Sequence, residues 1–264
     1  MRILFIGDIV GRSGREAVAE LLPGLVESRG IDFTIANGEN AAGGIGITAK
    51  IGEELFDLGI DVITTGNHVW DKREAFEFLA SCDRVLRPAN YPPGAAGRGA
   101  RVYETRAGGR VGVVNLQGRV FMQEIDCPFR RGSELLMDLK ETTPVLIVDI
   151  HAEATSEKLA LGWYLSGQAS AVLGTHTHVQ TADERILERH TAYITDVGMT
   201  GPDDSVIGIK KELSIARFVT QLPQRFEAST GPSTLCAVLI DVCESTGAAE
   251  AVERIAVRAS ASAG

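Results

Sequence analysis

Short runs of apolar residues alternate along this chain with segments whose apolar positions recur every three or four residues. The first three runs, at 3–6, 33–36 and 62–64, are too short for helices and predict buried β-strands. A helical pattern follows each run, at about 15–29, 48–59 and 72–80, and Pro23 should bend or divide the first of these helices. This order of strand, helix and strand predicts a parallel sheet with right-handed crossovers.

The middle and the end of the chain add antiparallel signals. Runs at 101–105 and 111–116 flank Ala107-Gly108-Gly109, and runs at 235–242 and 252–257 flank Ser245-Thr246-Gly247, so each pair predicts a hairpin. Between them, the strand–helix pattern returns. It comprises strands at 145–150, 171–173 and 192–195, and a helix from about Ser156.

These elements predict an α/β protein with a four-layer α-β-β-α sandwich, in which two mixed sheets pack face to face with helices outside. We see no internal repeat, linker or boundary, so a single domain over 1–264 is expected. Residues 90–99, which include three glycines and two prolines, predict a loop that could act as a lid. The last residues, 259–264, predict a disordered tail.

Composition narrows the class of protein. The 264 residues are 44% hydrophobic and 23% charged, which is ordinary for a globular enzyme. A net charge of −9 argues against a broad surface for long nucleic acids, although it allows one small phosphate ester. Four cysteines without a CxxC pair predict reduced, mostly buried thiols. No run has the length of a membrane span or a signal peptide, so we expect a cytoplasmic protein without membrane contact.

Residues with carboxylate, carboxamide or imidazole side chains, which can bind metal ions, follow five of the predicted strands. They are Asp8, Glu39 with Asn40, Asn67 with His68, His151, and His176 with His178. Ligands gather beyond the carboxyl ends of strands in such sheets, and residues two apart in an extended segment point to the same side. Each motif alone is more often a turn, a cap or a hydrogen-bonded histidine, but the ordered set predicts a metal site. The fifth histidine, His190, lies outside the pattern and is expected on the surface.

The order of these motifs resembles the calcineurin-like metallophosphoesterases, and more narrowly their bacterial YmdB-like branch. The similarity covers nearly the whole chain. It is carried by GDIVG at 7–11, NGEN at 37–40, GNHVW at 66–70, RPANYP at 87–92, NLQGR at 115–119 and DVGMTGP at 196–202. The chain departs from the wider superfamily at Val10, where a histidine is usual, and at Glu39, where aspartate is preferred. In the narrower branch, Asn40 replaces the missing ligand.

The resemblance implies a dinuclear centre with two ligand sets. Asp8, Glu39, Asn40 and His178 would hold one ion, and Glu39, Asn67, His151 and His176 would hold the other. Oxygen and nitrogen ligands suit iron or manganese, allow zinc and disfavour calcium, and the resemblance favours iron. Two such ions could activate a bridging water for attack on phosphorus while His68 protonates the leaving group.

The resemblance further implies a phosphodiesterase acting on small esters, in particular 2′,3′-cyclic nucleotides. The residues themselves offer only weak candidates for substrate contacts: Arg12, Arg15, Tyr91, Arg119 and Phe121. A phosphomonoesterase with the same centre, or a metal-binding regulatory or scaffold protein with little catalysis, stays open. A zinc amidohydrolase is disfavoured because its His-x-His pair normally lies on the first strand of a barrel. The oligomeric state is left open, a homo-oligomer included.

Overall fold

Two β-sheets face each other across a core of aliphatic and aromatic side chains. The computed structural model of the chain describes residues 1–260. Phe5 and Ile35 of one sheet pack in the same buried cluster as Val113 and Ile147 of the other. Because alternate residues of a strand point to opposite faces, Leu4 and Ile6 contribute to a second cluster on the outer side of their sheet. The predicted sandwich of two mixed sheets is therefore confirmed.

The first sheet contains eight strands and is mixed. Its strands are β1 (Arg2–Ile6), β2 (Asp8–Ile9), β3 (Phe33–Asn37), β4 (Val62–Thr64), β5 (Val85–Leu86), β12 (Met199–Pro202), β13 (Ser233–Val242) and β14 (Ala249–Arg258). The order is β2-β12-β13-β1-β3-β4-β5, and β14 pairs with β13. Strands β1, β3, β4 and β5 are parallel, whereas β13 runs antiparallel to β1, with Phe5 opposite Val238.

The second sheet contains six strands in the order β10-β11-β9-β8-β7-β6. Its strands are β6 (Ala100–Glu104), β7 (Arg110–Gln117), β8 (Leu146–His151), β9 (Ala171–Thr175), β10 (Arg185–Leu187) and β11 (Thr191–Ile194). Strands β7, β8, β9 and β11 are parallel, and the predicted hairpin of β6 and β7 is confirmed. In both sheets, the parallel strands of the interior direct their carboxyl ends toward polar loops.

Helices cover the outer faces of both sheets. They are α1 (Gly11–Arg29), α2 (Ala49–Asp57), α3 (Ala75–Ser81), α4 (Pro128–Lys140) and α5 (Thr155–Leu165). Another helix, α6 (Lys211–Thr220), buries Ser214 and exposes most of its large apolar side chains. Helices α1, α2 and α3 pack on the first sheet through Leu22, Leu55 and Phe78. Helices α4 and α5 pack on the second sheet through Leu136 and Leu161. No helix within residues 1–260 has both the length and the apolar character needed to cross a lipid bilayer.

Several local expectations differ from the structure. Helix α1 begins at Gly11 rather than near residue 15, and it continues through Pro23 because Val18 and Leu22 are fully buried on the sheet around it. Helices α4 and α6 and the short strands β5, β10 and β12 lie outside the predicted elements. The four cysteines are free, as predicted, but each is partly exposed rather than buried.

The first two residues of the predicted disordered tail form hydrogen bonds with the rest of the protein. Ala259 is buried, and its amide donates to the carbonyl of Ser233. The amide of Ser260 donates to the carboxylate of Glu20 at 2.7 Å. The remaining part of that prediction, residues 261–264, lies outside the described residues.

Candidate metal centre

The carboxyl ends of strands from both sheets meet at one edge of the sandwich. Strand β2 begins with Asp8, and the loop after β3 carries Glu39 and Asn40. The loop after β4 carries Asn67 and His68. From the second sheet, β8 ends in His151, and β9 leads into His176 and His178. Side-chain contacts connect seven residues of the predicted set, and the backbone amide of His68 joins the eighth to Glu39.

The densest cluster surrounds the Nε2 atom of His151. This nitrogen lies 2.9 Å from Glu39 Oε1, 3.1 Å from Asn67 Oδ1 and 3.0 Å from His176 Nδ1. A ring nitrogen carries at most one hydrogen, so it cannot donate to three neighbours at once. A cation, in contrast, accepts the lone pairs of two carbonyl-type oxygens and two imidazoles together. The side chains of this cluster therefore fit a metal ion.

A second cluster adjoins the first through Glu39. The side-chain Nδ2 atom of Asn40 lies 3.3 Å from Glu39 Oε1 and 3.2 Å from His178 Nε2. A rotation of the side-chain amide by 180° exchanges its nitrogen and oxygen, so Oδ1 can face the same neighbours. Asp8 is completely buried, and among residues 1–260 its Oδ1 atom finds no hydrogen-bond partner, although His178 Nε2 lies 3.8 Å away. A buried carboxylate oxygen without a partner is costly. A cation would satisfy it, so this donor set also fits a metal ion.

Hydrogen bonds to the opposite ring nitrogens fix how the histidines face the centre. The Nδ1 atom of His151 lies 2.9 Å from Thr175 Oγ1, which in turn donates to Asp149 at 2.7 Å. The Nδ1–H of His178 donates to the carbonyl of Ile207 at 2.9 Å. Such outer contacts set the tautomer of a metal-binding imidazole. Both rings therefore present Nε2 to the centre.

The pKa values show how strongly the charges interact when no ion is bound. Burial raises the pKa of Asp8. Burial also disfavours the charged form of Glu39, but attraction to His151 and His68 outweighs it and lowers its pKa to about 2. The same attraction, to Glu39 and Asp8, overcomes burial and raises the pKa of His151 to about 9. Burial and the neighbouring His151 lower the pKa of His176 to about 3, so that ring is neutral.

A buried ion pair anchors the loop that carries the last two histidines. Lys158 of α5 and Asp196 have fully buried side chains, with Nζ and Oδ2 2.7 Å apart. Asp196 also accepts from the amide and hydroxyl of Thr177, at 3.0 and 2.6 Å, and from the amide of Gly198 at 2.8 Å. Sequence reasoning did not identify Lys158. Its only signal was a lysine among the apolar positions of a helix.

His68 lies where two cavities meet beside the clusters. Its amide donates to Glu39 Oε2 at 3.1 Å, and its Nδ1 lies 2.6 Å from Asp71 Oδ2. The larger cavity, about 470 Å³, extends toward Phe226, and the smaller one, about 380 Å³, extends toward Phe121. His68 and His176 line both cavities, so a ligand in either one could reach the same ring.

The weak candidates for substrate contacts have different positions. Arg12 is exposed and forms an ion pair with Glu16, and Arg15 donates to the carbonyl of Ala41. Both arginines therefore have structural partners. Tyr91 is buried with its hydroxyl directed at Gln117 and Gln123, and Arg119 lines a separate cavity. Phe121 alone among these candidates lines a cavity at the centre, with 90% of its surface exposed. His190 is exposed, as predicted.

Comparison with known proteins gives the same reading over nearly the whole chain. A model of the family described as "YmdB-like protein" matches residues 4–255. The chain is 52% identical to the 2′,3′-cyclic-nucleotide 2′-phosphodiesterase of Bacillus subtilis (strain 168), over 97% of each chain.

Two solved structures share the fold of this chain. A crystal structure of a hypothetical protein from Thermus thermophilus shares the fold with a TM-score of 0.91 at 43% identity, covering 98% of this chain and 99% of that one. A crystal structure described as a novel phosphatase from Mycoplasma pneumoniae has a TM-score of 0.91 at 34% identity, covering 98% and 93%. The predicted enzyme class, a phosphoric ester hydrolase, is confirmed. The chain belongs to the YmdB-like family, as its motifs predicted.

Proposed function

We propose that this protein hydrolyses small phosphate diesters, with 2′,3′-cyclic nucleotides as its substrate class, at a centre of two metal ions. Asp8, Glu39, Asn40 and His178 would hold one ion, and Asn67, His151 and His176 would hold the other together with Glu39. The observation that carries the proposal is the meeting of four donor atoms, His151 Nε2 and its three neighbours, beside the unpaired oxygen of Asp8. The 52% identity to a 2′,3′-cyclic-nucleotide phosphodiesterase supports the substrate class.

When bound, a pair of such ions offsets charge on the phosphoryl oxygens and makes water acidic enough to be a nucleophile at neutral pH. The protein supplies the geometry around that chemistry. Glu39 is fully buried and its Oε1 atom contacts both clusters, so Glu39 would be the ligand that the two ions share. The amide of His68 holds Glu39 Oε2, so the loop that carries His68 is tied to the shared ligand.

His68 would act as the general acid toward the leaving oxygen. Its Nδ1–H donates to Asp71, which leaves Nε2 as the nitrogen available to a ligand. Its side chain is 35% exposed and lines both cavities, so a substrate can approach it. A positioned proton donor typically contributes about 10²- to 10⁴-fold to the rate.

The lining of the cavities favours a diester over a monoester. Within residues 1–260, no lysine or arginine lines either cavity. A monoester carries close to two negative charges at neutral pH and would gain from a guanidinium partner, whereas a diester carries one. A metal-binding scaffold with little catalysis is disfavoured because His68, which belongs to neither ligand set, stands beside the complete set of donor atoms and lines both cavities. Iron as the metal, with manganese as the second choice, and a cytoplasmic location complete the proposal.

The test combines metal analysis with a panel of esters. The purified protein should contain about two transition-metal ions per chain, as the mechanism requires, and should hydrolyse 2′,3′-cyclic AMP faster than AMP. The variant His68→Ala should keep its metal and lose about 10²- to 10⁴-fold in kcat. His190→Ala, at an exposed histidine distant from the centre, is the matched control. Full turnover by His68→Ala would refute the acid role, and a preference for AMP would refute the diesterase.

A further inference from the structure

The lining of the larger cavity has a polar part and an apolar part. The polar part, here called the floor, contains the metal-ligand candidates Glu39, Asn40, His176 and His178. The apolar part, here called the apolar wall, consists of Ile45, Ile207, Ile209, Phe226 and Ala228. The cavity of about 470 Å³ is in the size range of small-molecule sites, which commonly combine an apolar lining with a few polar groups.

Three large side chains of the apolar wall remain far from fully packed. Ile45 is 40% exposed, Phe226 is 50% exposed and Ile207 is 53% exposed. Single exposed apolar residues are common on protein surfaces. These three differ because they lie on separate segments of the chain and converge on one concave surface. Such a surface indicates a ligand with an apolar face.

Ile207 adopts a backbone conformation that isoleucine normally avoids. Val206 and Ile209 exchange two main-chain hydrogen bonds of 2.8 and 3.0 Å around Ile207 and Gly208, whose φ values are 47° and 93°. Positive φ at both central residues defines a type I′ turn, which strongly prefers Asn-Gly. A β-branched residue at that first position is strained, and strain of this kind concentrates at functional sites.

The strained turn joins the apolar wall to the metal-ligand candidates. The carbonyl of Ile207 accepts the Nδ1–H of His178 at 2.9 Å, while its side chain faces the cavity. The amide of Ser229 donates to the carbonyl of Gly208 at 2.8 Å, and Ile209 pairs with Ala228. These bonds hold the segment that carries Phe226 against the turn. The apolar wall therefore has a fixed position relative to the centre.

We propose that the apolar wall binds the nucleobase of the substrate and so makes the enzyme specific for nucleotides over simple cyclic phosphates. This inference rests on the proposed function. The phosphate lies over the polar floor, and the flat face of the base packs on Phe226 and Ile207. Since the apolar wall offers no side-chain hydrogen bonds to base edges, the enzyme accepts purine and pyrimidine bases alike, as in other sites that use only the faces of bases.

The experiment compares 2′,3′-cyclic AMP with ethylene phosphate, which has the same five-membered cyclic ester but no base. The measured quantity is the specificity ratio, kcat/KM for the nucleotide divided by kcat/KM for ethylene phosphate. Phe226→Ala should lower this ratio by about 5- to 100-fold, the range typical of a lost aromatic–base contact. Ile207→Asn should lower it as well. Asparagine suits the type I′ turn, so this second variant keeps the backbone and the bond to His178.

Two further variants separate the outcomes. Phe218→Ala, at a 73% exposed position of α6, is the matched control and should leave the ratio unchanged. Phe121→Ala tests the smaller cavity on the other side of His68. An unchanged ratio in Phe226→Ala and Ile207→Asn, or a loss confined to Phe121→Ala, would overturn the proposal. Failure of the wild-type protein to hydrolyse either ester would instead refute the proposed function.

Discussion

Replacing Lys158 by methionine tests how the loop of the metal centre is held. Methionine is close to lysine in length but has neither the charge nor the hydrogen-bond donor, so it removes the interaction with Asp196 without leaving a large cavity. Removing one partner of a buried ion pair typically costs about 3–5 kcal/mol, because the other charge stays buried without compensation. Asp196 would keep three hydrogen bonds, from Thr177 and Gly198, so we expect a loss near the lower limit, about 3 kcal/mol.

The assay is equilibrium unfolding in urea, followed by circular dichroism, on metal-free wild-type and variant proteins. The free energy of unfolding of Lys158→Met should fall by that amount, while Lys50→Met, at an exposed lysine, should stay within about 0.5 kcal/mol. Asp196→Asn and the double variant complete a cycle that isolates the pairwise interaction. Because Asp196 holds Thr177 between the two histidines, metal affinity should also fall by about 10- to 100-fold. If the free energy of unfolding of Lys158→Met changed by less than about 1 kcal/mol, or if the two single variants were additive, the ion pair would not hold this loop.

Two further predictions concern the centre itself. A Cβ atom at Gly66 would overlap the ring of His151 and the carboxylate of Glu39, so Gly66→Ala should abolish metal binding. Gly24→Ala, in an open position of α1, should instead stabilise the protein by about 0.5–1 kcal/mol; metal retained by Gly66→Ala would contradict the proposed geometry of the site. The second prediction concerns protons. With its pKa raised to about 9, His151 is charged at pH 7.5 in the metal-free protein and must lose that proton to bind an ion. Metal affinity should therefore rise with pH up to about 9, and calorimetry in buffers of different ionisation enthalpy should detect about one released proton. An enthalpy independent of the buffer would exclude this.

The predicted positions of the ligand candidates come from a local property of the chain. Asp8, Glu39, Asn67 and His176 each follow an apolar run, and parallel strands bring such positions to one edge whatever the details of packing. The same logic correctly predicted the longer strands of both sheets, because a buried parallel strand is nearly continuous in apolar residues, but it missed the short strands β5, β10 and β12. It missed α4 and α6, and it placed the start of α1 too late, because Gly11, Arg12 and Ser13 have no apolar period.

Supporting residues could not be predicted in the same way. Lys158 and Asp196 are 38 residues apart, and Thr175 and Asp149 are 26 apart, so their partners become visible only when β8, β9 and α5 are packed together. The conformation of Ile207 is equally hidden, because an Ile-Gly pair is a poor signal for a type I′ turn.

Local patterns in the amino-acid sequence indicate both the layers of this protein and its candidate metal ligands. Its apolar periodicity specifies two layers of strands covered by helices, and its motifs specify which donor atoms reach the edge where the strands end. Only the tertiary structure decided which of those atoms approach each other, how the histidine rings are oriented and which apolar side chains remain open beside them. Periodicity and strand ends are local properties of the chain. Burial, charge pairing and cavity shape are long-range properties, because they depend on segments that meet only after folding.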